Sequence, residues 1–222
     1  MPITKVGSYS HVGKVRANQE DWAGIADDVF VVCDGMGGHE GGEVASRACV
    51  DALLAGPRDP VAAFRAAQQA VRDRASALNL PDAGTTCVAL IGGHVLHAGD
   101  SRVYLLRAGQ LTQVTRDHTV AQSLIDSGVY SVDQVRFSRA WHILTRCVGY
   151  MDCDPDVIPL ELQQGDRLLL STDGLHDEVD EADLAAVLGG PGDADAIAQR
   201  AVDLALAGPA PDNVTALVVL VD

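Results

Sequence analysis

The sequence predicts an α+β fold with a mostly antiparallel sheet system, and three observations carry the prediction. Apolar, β-branched runs are short and occur in groups. The turns between them are too tight for helical crossovers. Helical periodicity comes in pairs set between groups of strands, and not in strand–helix alternation.

In chain order, Val29 to Cys33 is a continuous apolar run and reads as a buried strand, ending in the glycine-rich DGMGGHEGGE. Glu43 to Leu54 has helical spacing, with Val44, Ala48, Cys49, Ala52 and Leu53 on one face, and Gly56-Pro57 stops it. Asp59 followed by Pro60 reads as an N-cap and first helical residue. Val61, Phe64, Val71 and Leu78 mark a second long helix. Thr86–Ile91, Val95–Ala98, Val103–Arg107 and Leu111–Val114 read as strands joined by Gly92-Gly93, Gly99-Asp100 and Ala108-Gly109, turns short enough to join antiparallel neighbours. Thr119 to Asp126 reads as a short helix before Gly128, and residues 129–145 have no clear period. Leu168 to Ser171 is an apolar strand ended by Thr172-Asp173-Gly174. Helices are predicted at Glu181–Leu188 and Asp193–Ala207, and a last strand at Val214–Val221. No linker, repeat or low-complexity tract divides the chain, so residues 1–222 are expected to form one domain.

The bulk numbers exclude several partners. The 222 residues carry a formal net charge of -15, which argues against nucleic acid or an anionic membrane, since both attract a basic surface. With 47% apolar and only 4% aromatic residues, the core must be aliphatic. Cys33, Cys49, Cys87, Cys147 and Cys153 are odd in number and contain no CxxC pair, which fits free thiols in a reducing compartment. No apolar run approaches the ~20 residues of a membrane span, and MPITKVGSYSHVGKV lacks a signal-peptide core. The expectation is a cytoplasmic protein, and a monomer.

Chemistry is expected from acids. Asp34 follows VFVVC, Asp100 follows VLHAG, Asp173 follows RLLLST, and Asp212 precedes NVTALVVLV. A carboxylate at the end of an apolar strand is partly desolvated, and that is unfavourable unless it is paired or bound to metal. Basic residues near these strand ends are few. Several such acids at one end of a sheet repel one another, and divalent cations remove the repulsion. Oxygen donors suit Mg²⁺ or Mn²⁺, and no His/Cys cluster has zinc spacing. Glycine after Asp34 and Asp173 lets carbonyls and water approach an ion. Against this stands the ordinary meaning of Asp-Gly, which is a turn.

These residues resemble a known family, the PP2C-type (PPM) metal-dependent protein serine/threonine phosphatases in their compact bacterial form. The resemblance runs in order over nearly the whole chain: GKVRANQED, VFVVCDGMGGHEGGEVAS, GTTCVAL, HAGDSRVYLLRAGQLTQVTRDHT, LTRCVG, GDRLLLSTDGLHD and PDNVTALVV. It implies an antiparallel β-sandwich flanked by helix pairs on both sides, an α-β-β-α four-layer fold. It implies that Asp34 bridges two metal ions with the Gly35 carbonyl on one of them, and that Asp173 and Asp212 hold the other. It implies that Glu20 and Asp21 hold water ligands, that Asp100 with Asp173 makes a third, weaker site, and that Arg16 binds the substrate phosphate, for which a guanidinium fork is suited. The implied reaction is hydrolysis of phosphoserine and phosphothreonine by water activated between two ions of Mn²⁺ or Mg²⁺, with no covalent enzyme intermediate. The implied partners are a Ser/Thr protein kinase and its substrates.

The chain departs from the family pattern at Gln19, where Asn is usual, and at Trp141-His142, where Arg-Asn is frequent. Met36 stands where many eukaryotic members carry His. His39 reads as a structural cap, and His118 and His142 are the candidate proton donors. Rival readings are a small-molecule phosphatase, a nuclease that the charge disfavours, and a phosphoprotein-binding module without activity. Asp154-Pro155-Asp156 lacks the apolar strand of a haloacid-dehalogenase-type phosphatase. No Cys-x5-Arg or P-loop is present.

Overall fold

In a computed structural model, which describes residues 5–37, 41–150 and 152–222, the chain forms two packed antiparallel sheets with helices outside each. The strands are β1 (Lys5–His11), β2 (Asp21–Ala26), β3 (Val29–Met36), β4 (Gly84–Thr85), β5 (Cys87–Ile91), β6 (His94–Ala98), β7 (Arg102–Arg107), β8 (Gln110–Gln113), β9 (Asp156–Pro159), β10 (Arg167–Ser171) and β11 (Val214–Leu220). The helices are α1 (Gly41–Ala55), α2 (Pro60–Ala77), α3 (Val120–Asp126), α4 (Val132–Val135), α5 (Asp173–His176), α6 (Glu181–Gly189) and α7 (Ala194–Ala207), with a 3₁₀ turn at Arg139–His142. One sheet has the order β1-β11-β10-β7-β8. The other has the order β2-β3-β5-β6-β9, with β4 paired to β3.

Alternation along the buried strands builds three apolar layers. In β3, Val29, Val31 and Cys33 pack with Cys49, Leu53 and Phe64 of α1 and α2. Phe30 and Val32, on the other face, meet Leu168, Leu170, Leu217 and Val219 between the sheets. In β11, Val214, Ala216 and Val218 pack instead with Ile197, Ala201 and Val202 of α7. A strand covered on both faces needs apolar residues at successive positions, which is why Val29–Cys33 of β3, Leu168–Leu170 of β10 and Ala216–Leu220 of β11 are unbroken hydrophobic runs. Helix, sheet, sheet and helix stack as the predicted four layers. The expected cap is in place, with Asp59 accepting from Ala62 N at 2.8 Å, and Thr119, read as helical, instead caps α3 by accepting from Gln122 N at 3.1 Å. No described helix is long and apolar enough to cross a membrane.

Two sequence expectations are corrected. Gly99-Asp100 does not join neighbouring strands, because β6 and β7 lie in different sheets and the turn is a corner between them. Gly99 makes the corner at φ +116°, with its α-carbon against Thr86, a place no side chain can take. Strands β1, β2 and β9, and the short helices α4 and α5, are additional to the predicted elements. Gly38, His39 and Glu40 lie outside the described residues, and so does the capping role read for His39.

Candidate active site

Asp34 lies within β3, and its backbone is clamped from the strand alongside. Its carbonyl accepts from Thr86 N and from Thr85 Oγ1, each at 2.8 Å, and its N–H donates to Thr86 Oγ1 at 2.9 Å. Asp100 stands at the β6–β7 corner, Asp173 opens α5 directly after β10, and Asp212 precedes β11. Both sheets therefore deliver carboxylates to one end of the sandwich. A cleft of about 550 Å³ opens there, lined by Arg16, Glu20, Asp34, Gly35, Asp100, Asp173 and Asp212, with Thr86, His142 and Leu144 among the others. The structure thus brings together every predicted site residue except Asp21.

Asp21 lies under the cleft floor. It stands opposite Asp34 in the β2–β3 register, and its Oδ2 accepts from Thr172 Oγ1 at 2.8 Å and Thr215 Oγ1 at 2.7 Å. Burial pushes its carboxyl up to about 7, with the two hydroxyls pulling the other way and Asp173 adding to the rise. Burial together with Asp21 and Asp173 raises Asp34 well above the usual range. Burial and Asp173 do the same to Asp100. Asp173 is pushed up to about 6 by burial and Asp212. The shared cause is carboxylates crowded together out of water.

Arg16 is the cation that lines this cleft. Its Nη2 donates to Asp212 Oδ2 at 2.6 Å, and its Nη1 lies 3.7 Å from Glu20 Oε2. The loop bearing Arg16 is tied down by Asn213, whose Nδ2 donates to Val12 O and Asn18 O and whose Oδ1 accepts Glu20 N at 2.7 Å. The Gln19 amide donates to Ser10 Oγ at 2.5 Å, so this position keeps a structural hydrogen bond.

The two Asp-Gly pairs are not turns. Gly35 continues β3 and Gly174 sits inside α5, neither in the left-handed region. What each lacks is room: a Cβ on Gly35 would collide with the Gly42 carbonyl, and one on Gly174 with the Asn213 carbonyl. The residue after each aspartate is glycine because α1 and β11 pass directly against it.

Arg136, Phe137, Trp141 and His142 line a second pocket beside the cleft, sharing His142, Asp173 and Asp212 with it. Trp141 Nε1 donates to Asp177 Oδ1 at 3.1 Å, and His142 Nδ1 lies 4.0 Å from both Asp173 Oδ2 and Asp177 Oδ2. Asp177 was not among the predicted site residues. Its spacing of four from Asp173 puts both carboxylates on one side of α5, but a four-residue helix shows no periodicity to read. His118 is tied elsewhere, to Gly99 and Asp156, and does not line the cleft.

The cleft residues suit hard divalent cations. Apart from His142 the donors are oxygens, and the raised carboxyls are those of a site with too little positive charge. Asp173 Oδ1 is buried without a hydrogen-bond partner, as an atom awaiting a ligand would be. Carboxylates from both sheets, with one guanidinium over them, define an acid-lined cleft for cations and an anionic substrate.

The chain belongs to the protein phosphatase 2C family, whose model matches residues 9–189. It is 35% identical to the serine/threonine protein phosphatase PstP of Mycobacterium tuberculosis over 97% of its own length, but it spans only 45% of that relative. Among solved structures it resembles the PPM Ser-Thr phosphatase MsPP of Mycobacterium smegmatis in complex with cacodylate (TM-score 0.89, 32% identity, 100% of both chains). It also resembles the catalytic domain of PstP in complex with two manganese ions (TM-score 0.88, 36% identity, 98% of both chains).

Proposed function

We propose that residues 1–222 form one catalytic domain that hydrolyses phosphoserine and phosphothreonine in proteins, using water activated between two divalent cations. The observation that carries this reading is the convergence of Asp34, Asp173 and Asp212, from both sheets, in a cleft that also holds Arg16. The manganese-bound relative and the cacodylate-bound relative, the latter holding a tetrahedral oxyanion, support it.

Asp34, the Gly35 carbonyl, Asp173 and Asp212 would hold the two cations. Glu20 and Asp21 act behind them through water, Asp21 from beneath the floor. Asp100 with Asp173 offers a third, weaker position. When bound, Mn²⁺ or Mg²⁺ supplies acidified water and charge neutralisation for the phosphoryl oxygens. Arg16 receives the phosphate; its contact with Asp212 Oδ2 holds the guanidinium at the cleft mouth until substrate arrives. Trp141, held to Asp177, lines the pocket beside the cleft where the peptide flanking the phosphate would lie. The substrates are products of a Ser/Thr protein kinase.

The test is hydrolysis of a phosphothreonine peptide with Mn²⁺, with and without chelator. Metal-dependent release of phosphate is expected. No turnover under any metal would favour a phosphoprotein-binding module, and nucleotides turned over far faster than peptides would favour a small-molecule phosphatase.

A further inference from the structure

Behind the Gly99–Asp100 corner lies a second polar cluster that the cleft chemistry does not use. His97, on β6, is fully buried, and neither Nδ1 nor Nε2 makes a well-formed hydrogen bond among the described residues, the backbones of Gly99 and Ser101 being its nearest polar neighbours. Each unmet buried polar group is unfavourable by about 1–3 kcal/mol. In native proteins such groups are few, and a water or an ion usually accounts for them. The His97 ring lies against the His118 ring, with centroids 4.5 Å apart and planes 24° apart. His118 Nε2 faces Asp156 Oδ2 at 3.2 Å, and Asp156 stands opposite His97 in the β6–β9 register. One donor atom from each of the three lies within 4.8 Å of the other two.

We propose that His97, His118 and Asp156 form a separate site for a borderline transition ion, Zn²⁺ being the type case. Two imidazoles and one carboxylate are donors such an ion prefers, whereas Mg²⁺ and Mn²⁺ prefer the carboxylate-rich cleft. Neighbouring donors on an ion with bonds of ~2.0–2.2 Å stand about 3–3.5 Å apart, and the His118–Asp156 pair is already at that spacing. Protonation is also suitable. Burial, then His118, holds His97 neutral down to about 3, and burial, then Arg146, lowers His118. Arg146 donates to Asp156 Oδ1 at 2.7 Å and partly offsets the carboxylate charge, while Oδ2 faces His118 Nε2, a contact that the ion would replace.

Binding has a consequence at the corner. His118 Nδ1 accepts Gly99 N–H at 3.2 Å, so the ring proton sits on Nε2. Coordination through Nε2 requires that proton to move to Nδ1, with no net release, and the Gly99 bond is then lost. The ion therefore competes with one of the two hydrogen bonds that join His118 to the corner bearing Asp100; the other, from His118 N to Gly99 O at 2.8 Å, remains.

The test measures Zn²⁺ binding by calorimetry in excess Mg²⁺, using Asp34→Asn protein to weaken the cleft. One equivalent of Zn²⁺ is expected to remain. His97→Leu should weaken it by more than the roughly 10–100-fold that changes outside the ligand shell produce, and should raise the melting temperature of the metal-free protein. Asp156→Asn, at the rim of the cluster, carries the same expectation for Zn²⁺ affinity if His97→Leu does not fold, but not for melting temperature, because it also breaks the pair with Arg146. Absence of the equivalent, or its survival undiminished in the variant measured, overturns the proposal and assigns the His97 nitrogens to an internal water. The readout is binding, so loss of phosphatase activity leaves it intact.

Discussion

Asp117 and Asp166 are as buried as Asp21 and Asp100, at 9% and 1% exposure against 2% and 9%. Yet the two pairs are satisfied in opposite ways. Asp117 takes both Nε and Nη2 of Arg102, at 2.9 and 2.6 Å, and Asp166 takes the same atoms of Arg107 at 2.8 and 2.6 Å. Against the upward push of burial, Arg107 and the Gln163 N–H hold the Asp166 carboxyl below its ordinary range. Asp21 and Asp100 have no such guanidinium partner, and both are raised. Where a buried acid serves the fold, this chain supplies the cation. Where acids crowd the cleft and its floor, it supplies Arg16 to Asp212 and Glu20 and leaves Asp21 and Asp100 without a guanidinium, and the missing charge must come from solution.

The contrast is tested first at Asp34. Asp34→Asn should lower phosphopeptide turnover by roughly 10³-fold or more, about 4 kcal/mol of barrier, with no fall in metal-free melting temperature, since it removes a carboxyl that its neighbours oppose. A lowered melting temperature would place Asp34 with the structural acids. The opposite pattern is expected for Arg102→Met, which strands Asp117. Breaking a buried pair from one side is unfavourable by roughly 3–5 kcal/mol, and a chain of this size loses about 2–4 °C of melting temperature per kcal/mol. The double variant Arg102→Met/Asp117→Leu should recover most of the loss in thermal unfolding followed by circular dichroism. A smaller effect is expected from Gly35→Ala, roughly 1–3 kcal/mol for forcing a methyl group between β3 and α1. Because that strain falls beside Asp34, metal affinity measured by calorimetry should weaken with it.

The same contrast explains what could be read from the sequence. Asp34, Asp173 and Asp212 were legible because each adjoins a strand covered on both faces, whose unbroken apolar run marks where the chain meets the end of the sandwich. Strands β1 and β2 were not, because KVGSYSH and DWAGIA are only partly buried and owe their extended form to pairing with β11 and β3. The β6–β7 corner was misread because a tight turn gives no sign of which sheet the next strand joins. The position of Asp21 beneath the floor depends on Thr172 and Thr215, far from it in sequence, and nothing local signals that.

The finest test is the response of stability to pH and metal. A carboxyl whose folded pKa lies above its unfolded value binds protons more tightly in the native state, so its ionisation opposes folding. For Asp21, at about 7 against 3.8, and Asp173, at about 6, this contribution is whole below about pH 4. It falls as pH rises through the folded values and is constant above them. Asp34 and Asp100 act in the same direction. The melting temperature of the metal-free protein should therefore drop by a few degrees between about pH 5 and pH 8. Mn²⁺ should restore it more at pH 8 than at pH 5, because at the lower pH the ion must displace protons. In Asp34→Asn protein both the drop and the difference should shrink. If metal-free stability instead rises over that range, the buried histidines His97, His118 and His176, held neutral in the native state below the ordinary imidazole range, dominate the linkage, and the cleft carries less uncompensated charge than its geometry indicates.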